Sequence, residues 1–437
     1  MMFTLAMRSV RKRPGRFVAT LLSAFLGATI VMTFNSMQDT AGADGVDAVS
    51  KDILGTSAGV VGSYGTLLVF FAVASTLTVN VRQRSSEIEL LRCSGATPAQ
   101  IKRMIVGESV VVGLVGTLLA IGPAMLGGQA LLDLFKDSGQ VSDSVDFVFG
   151  PIAMSSGFAI TMVAAAGAAF LAVRRATRRV KPRGRGRTFL TLGSLILGAG
   201  AVSFTFTLSS TDEALMAPAA YGSILLSVAF GLMAPGLLKG LVMLLPLRGP
   251  SGYLAVRILR VQSKQLSGVL VPLTLFAGMA TATLYMQAVE NDAIDASGVP
   301  KTVDAKNLET LNLVIVGIIV VFSCIMLINS LYASTTYRRK EFGQQRLAGG
   351  TPGQVLRMIG IESFVLTVTG VVFGVAAALA GIIPFTVVRT DGVLPEQGLG
   401  IWLGIVAVAA LATLGTSLVT ARRALKTSAI SAVSLAA

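Results

Sequence analysis

Hydrophobic and polar positions fall in long blocks along this chain, not in the short alternation of a half-buried strand. Ten apolar runs stand out, near 17–36, 60–81, 104–132, 151–173, 188–208, 217–247, 266–288, 310–336, 358–386 and 398–421. About 20 apolar residues suffice to cross a bilayer as a helix, so each run predicts one transmembrane span. The third, sixth and ninth runs are long, and Pro123, Pro235 and Pro384 are the points where they could kink. Splitting any of them into two spans would break the charge pattern of the loops.

That pattern is strongly one-sided. With the N-terminus placed inside, alternate loops carry 31 of the 36 Lys and Arg residues and the opposite loops carry 5, whereas Asp and Glu divide 5 to 17. The positive-inside rule then predicts a multi-pass protein of the cytoplasmic (inner) membrane, with both termini cytoplasmic. Composition agrees: 53% of the 437 residues are hydrophobic and 13% are charged, against about 25% charged in soluble domains. The chain has no histidine, which removes every mechanism that needs an imidazole. Cys93 and Cys324 lie in a basic segment and an apolar run. No disulfide and no metal site is expected from them.

The first run, followed by Ala41-Gly42-Ala43, mimics a cleavable signal peptide. However, Leu5-Ala6-Met7-Arg8 recurs in mid-chain as Leu254-Ala255-Val256-Arg257, so the run is expected to be retained.

The most specific signal is an internal repeat. Aligning 87–109 with 341–363 without gaps gives eleven identities in 23 positions: Glu87/Glu341, Arg92/Arg346, Gly95/Gly349, Thr97/Thr351, Pro98/Pro352, Gln100/Gln354, Arg103/Arg357, Met104/Met358, Ile105/Ile359, Glu108/Glu362 and Ser109/Ser363. Each copy sits in a four-span unit that ends in Arg-Arg-Ala, at Arg174-Arg175-Ala176 and Arg422-Arg423-Ala424. Four is even, so the units enter the membrane from the same side and are parallel repeats. The predicted organisation is a first four-helix repeat over 1–187, a two-helix connector over 188–248 and a second repeat over 249–437.

Physically, the repeated loop reads as helix, tight turn and helix. Gly95 suits a left-handed position that ends the first helix. Thr97 suits the cap of the next, and Pro98 its first position. Gly349, Thr351 and Pro352 repeat this chemistry. A solvated turn would account for each residue locally, but turn-forming alone gives no reason for Glu87, Arg92 and Gln100 to recur together.

The segment Arg84-x-x-Glu87-Ile88-x-x-Leu91-Arg92-x-x-Gly95-Ala96-Thr97-Pro98-x-Gln100-Ile101, set between the second and third spans of a four-span unit, resembles the FtsX-like (MacB-type) family of ABC-transporter permeases. The second copy departs at Phe342, Gln345, Gly350 and Val355. The resemblance implies an all-α polytopic permease whose elbows dock on an ATP-binding subunit. At the matching positions it points to Glu87, Arg92, Gly95, Thr97, Pro98 and Gln100, and to Glu341, Arg346, Gly349, Thr351, Pro352 and Gln354. The sequence holds no G-x-x-x-x-G-K-[ST] phosphate loop. It is therefore read as a permease subunit rather than an enzyme, with ATP and Mg on a separate cytosolic ATPase, two copies for two elbows.

One departure from the family concerns the outside. The outer loops, about 37–59, 133–150, 209–216, 289–309 and 387–397, are too short for a large extracytoplasmic domain. Export or extraction of an amphipathic substrate (a lipid, peptide or antibiotic) is the leading expectation. Mechanical signalling to an extracellular partner such as a cell-wall hydrolase is the alternative. A proton-driven carrier is disfavoured, since no ionisable relay sits at mid-membrane depth.

Lesser features follow the same reading. The basic stretch 174–187 lacks aromatics, which argues for lipid headgroups rather than nucleic acid. Segments 2–13 and 252–264 read as short amphipathic helices on the inner face, the second with Leu254, Ile258 and Val261 on one side. Gly236/Gly240, Gly370/Gly374 and Gly400/Gly404 have the spacing for close helix packing, as does Gly349/Gly353 inside the elbow.

Overall fold

Inside a bilayer no water pairs with backbone groups, so each apolar run must satisfy its own hydrogen bonds, and a helix does so. The computed structural model describes residues 18–59, 66, 76, 85–177, 185–210, 215–244, 249–298, 302–390, 392–395 and 398–430, and among these the regular structure is helical throughout. The helices are α1 (Val18–Ala41), α2 (Ser85–Cys93), α3 (Pro98–Asp137), α4 (Pro151–Thr177), α5 (Arg185–Thr205), α6 (Met216–Leu244), α7 (Pro250–Ser297), α8 (Val303–Tyr337), α9 (Arg339–Leu347), α10 (Pro352–Thr390), α11 (Gly400–Ala410) and α12 (Thr416–Leu425). A π-helical turn, Leu411–Gly415, joins the last two.

Among the described residues nine helical stretches are long and apolar enough to cross a membrane. The molecule is an all-α polytopic membrane protein. The expected span 60–81, apart from residues 66 and 76, and segment 2–13 lie outside the described residues, as do residues 178–184 of the basic stretch. Pro123, Pro235 and Pro384 each sit inside a single helix, α3, α6 and α10, so none of the three long runs is divided.

The segment 252–264 differs from its expectation. It forms the opening turns of α7, a continuous helix of 48 residues. Gly252, Ala255, Leu259 and Ser263 are its buried residues, while Leu254 and Val261 are exposed. Nothing between Lys264 and Gly268 breaks the helix, so the span simply continues outward as one rod.

The chain forms two compact units, Met1–Lys181 with Pro300–Ile325, and Pro182–Val299 with Met326–Ala437. In the first, α1 packs on α3 and α4. In the second, α7 packs on α10 and α6, α6 also meets α10, and the connector helix α5 lies on α6. Phe189, Leu190, Ile196 and Leu197 of α5 are all exposed, an arrangement that needs an apolar surrounding.

Small residues set the helix crossings. A Cβ on Gly116 of α3 would stand 3.0 Å from the Ala24 Cβ and the Phe25 nitrogen of α1. Its repeat counterpart, Gly370 of α10, faces Leu273 of α7. One turn on, a Cβ on Gly374 would stand 2.6 Å from the Ala277 Cβ and 2.8 Å from the Gly278 nitrogen. These backbones touch, and only glycine permits it. By contrast, Gly236, Gly240, Gly400 and Gly404 have open space where a Cβ would go.

The candidate coupling elbows

Each elbow is a helix, a glycine turn and a capped helix, built twice with the same bonds. In the first, the Gly95 N–H donates to the Arg92 carbonyl (3.1 Å) and the Ala96 N–H to the Leu91 carbonyl (2.9 Å). In the second, Gly349 donates to Arg346 (3.1 Å) and Gly350 to Gln345 (2.9 Å). This is the Schellman pattern, which satisfies the last carbonyls of a helix and needs a left-handed residue. Gly95 and Gly349 supply it with φ of 90° and 95°.

The outgoing helix is capped reciprocally. The Gln100 N–H donates to Thr97 Oγ1 (3.3 Å), and the Thr97 N–H donates to Gln100 Oε1 (2.9 Å). Thr351 and Gln354 repeat both bonds at the same distances. Pro98 and Pro352 begin their helices, where a missing N–H costs nothing. The glutamines are therefore part of the turn itself, contrary to the expectation that a turn gives them no reason to recur.

Apolar anchors seat each elbow. Ile88 of α2 and Ile101 and Ile105 of α3 are buried in the first unit. Their counterparts Phe342, Val355 and Ile359 join a buried cluster with Ala255, Met358, Ala421 and Ala424 in the second. The tips stay outside: Leu90 is 71% exposed and Leu347 58%. These two exposed leucines, one within α2 and one at the end of α9, are candidate contacts that the motif does not include.

The charged positions of the second elbow are already engaged. Arg346 donates to the carbonyls of Leu425 (3.2 Å) and Thr427 (2.7 Å), tying α9 to the end of α12, where a cation also suits the helix dipole. Glu341 accepts from Gln262 of α7 (3.1 Å) and from Arg338 (3.0 Å). The side chain of Glu87 lies outside the described residues.

Beneath this elbow is a feature the sequence reading missed. Arg338 sits in the break between α8 and α9, and its guanidinium grips Glu362 of α10 with both NH groups, at 2.5 and 3.1 Å. Both side chains are almost wholly buried, at 10% and 4% exposure. Burial opposes the charge on Arg338, but Glu362, and then Glu341, outweigh it and hold its pKa above the ordinary arginine value. The pair locks the elbow helix to the membrane helix that follows it. The repeat carried the signal, since Arg84 and Glu108 stand at the same offsets in the first copy. Glu108 is likewise buried, at 1% exposure.

Each elbow thus runs on into a helix long and apolar enough to cross a membrane. A family model described as the FtsX-like permease C-terminal region matches residues 59–180 and 313–429, together more than half of the chain. The chain belongs to the FtsX-like permease family of ABC transporters. It is 25% identical over 132 residues to the pyoverdine export ATP-binding/permease protein PvdT of Pseudomonas fluorescens, covering 30% of this chain and 19% of that protein. It is 38% identical over 68 residues to an uncharacterized ABC transporter permease protein of Mycobacterium tuberculosis, covering 16% of this chain and 8% of that one. The matches thus span under a fifth of these relatives' lengths.

Proposed function

We propose that this chain is the transmembrane permease of an ATP-driven complex, in which a separate cytosolic ATPase docks on the two elbows, one copy on each. ATP-driven closure of the ATPase pulls on the elbows, and their membrane helices move an amphipathic substrate such as a lipid, peptide or antibiotic outward. The observation that carries this is the duplicated elbow: two identical sets of Schellman and capping bonds, each continuous with a membrane helix. Mechanical linkage is what rigid caps provide, and the buried Arg338–Glu362 pair stiffens the second copy. The export named for the Pseudomonas relative agrees with outward movement. In this reading ten spans cross the inner membrane with both termini inside, as the 31 to 5 basic asymmetry favours.

Affinity purification of the chain from its own cells in mild detergent tests the reading. An ATPase with a phosphate loop should co-purify. Replacing Gly95 and Gly349 with valine should uncouple ATP hydrolysis from the permease while leaving membrane insertion intact, because a β-branched residue resists positive φ. A double variant that stays fully coupled rejects the elbows as the coupling site. Coupled hydrolysis with no movement of any compound, together with an external protein partner, would favour force transmission instead.

A further inference from the structure

The two repeats differ in what fills the space beside the helix that leaves each elbow. In the second unit a groove of about 530 Å³ lies between α10 and α12, lined by Gly353, Leu356, Arg357, Gly360, Phe364 and Leu418. The α10 residues follow a helical stripe, and the groove starts two residues past the Thr351 cap. From Gly353 to Phe364 the helix rises roughly 16 Å. The groove therefore runs from headgroup depth at the elbow into the apolar layer. Phe364 is 55% exposed on its wall, and a Cβ on Gly360 would stand 3.7 Å from Leu418, in ordinary contact with space beside it.

In the first unit the same positions are occupied differently. The repeat alignment pairs Leu356 with Lys102 and Gly360 with Val106, and the Arg-Arg-Ala ends pair Leu418 with Phe170. There the Lys102 ammonium stands 3.4 Å from the centre of the Phe170 ring. This cation–π contact spans the gap that Leu356 and Leu418 leave apolar.

We propose that the groove of the second unit holds one acyl chain of an anionic phospholipid from the leaflet on the elbow side, with its phosphate on Arg357, and that the first unit lacks this site. Charge complementarity selects the occupant. Arg357 is exposed at the polar end of an otherwise apolar lining. Arg422, also exposed, lies one turn beyond Leu418 on α12. A cation at headgroup depth above an apolar slot fits an anionic lipid better than a neutral one. The site rests on the elbows lying at a membrane face, not on what docks there.

The test uses the full chain in nanodiscs of phosphatidylcholine doped with a phosphatidylglycerol probe that carries a photoactivatable acyl chain. Cross-linked peptides are located by mass spectrometry. Adducts should concentrate on the peptides holding Phe364 and Leu418, about fivefold above a phosphatidylcholine probe, the preference one basic residue confers. Arg357→Gln should erase that preference. Leu356→Lys, Gly360→Val and Leu418→Phe together, which copy the first unit, should reduce the adducts to the level found at Val106 and Phe170. Conversely, Lys102→Leu, Val106→Gly and Phe170→Leu together should create labelling in the first unit, a gain that misfolding does not mimic. Equal labelling of both units, or equal labelling by the two probes, would overturn the proposal and leave only belt lipid. Labelling here is read without ATPase, so failure of ATPase docking and failure of lipid binding are separate results.

Discussion

Gln100 shows how a residue's role depends on the bond it makes. Its amide oxygen accepts from the Thr97 N–H while its own N–H returns to Thr97. Thr97, Pro98 and Gly95 are legible in the sequence as turn chemistry, because their preferences are local. Gln100 belongs with them, since Thr-x-x-Gln is itself a capping signature. Gln100→Ala should cost about 1 kcal/mol, as loss of a cap does, and Gln100→Glu should restore the acceptor. Amide exchange at Thr97 reads both: it should quicken in the alanine variant and return in the glutamate variant. Unchanged exchange in Gln100→Ala would mean that the cap contributes nothing to order at the turn.

Among elements, the break between α8 and α9 matters most. Arg338 leaves the helix there and turns its side chain into the packing against α10. Removing one partner of a buried pair strands the other charge, so Glu362→Ala should destabilise the protein by about 3–5 kcal/mol. Arg338→Met with Glu362→Leu should recover most of that loss, since well-packed apolar replacements remove both desolvation costs. Denaturant midpoints in detergent compare the three proteins, and a double variant as unstable as the single one would refute the account. Glu108 and Glu362 lie within the matched segments 87–109 and 341–363, whereas Arg84 and Arg338 lie three residues before them. The span positions were legible because apolar length is a local property. The pairing of Arg338 with a carboxylate on another helix was not, because it depends on packing. The rod-like start of α7 is illegible for a similar reason: its buried face, Gly252, Ala255, Leu259 and Ser263, mixes small and polar residues with one leucine, whereas the exposed Leu254 and Val261 suggest the opposite face.

At the scale of the whole molecule, charge supplied most of what the sequence offered. The 31 to 5 division of basic residues supports the proposed orientation, and an even number of spans per repeat would give both units the same one. Two native cysteines test it without further engineering. Cys93, exposed at the end of α2, should react with a membrane-impermeant maleimide in inside-out vesicles and stay unlabelled in intact cells. Cys324, within a span, should react in neither. Labelling of Cys93 from outside intact cells would reverse the orientation. The compact units could not be read from sequence, because the connector helix α5 packs by contacts on α6 that no motif records, and α8 contributes to both units.

The fusion of two repeats in one chain has a genetic consequence. When a permease assembles from two copies of one gene product, every substitution appears twice. Here Lys102 and Phe170 meet in one repeat, while Leu356 and Leu418 line a groove in the other. Each half can therefore drift, or be edited, alone. In the proposed complex, a mutational screen of this gene would report on each half separately, and a defect in one elbow could be compared directly with the same defect in its twin.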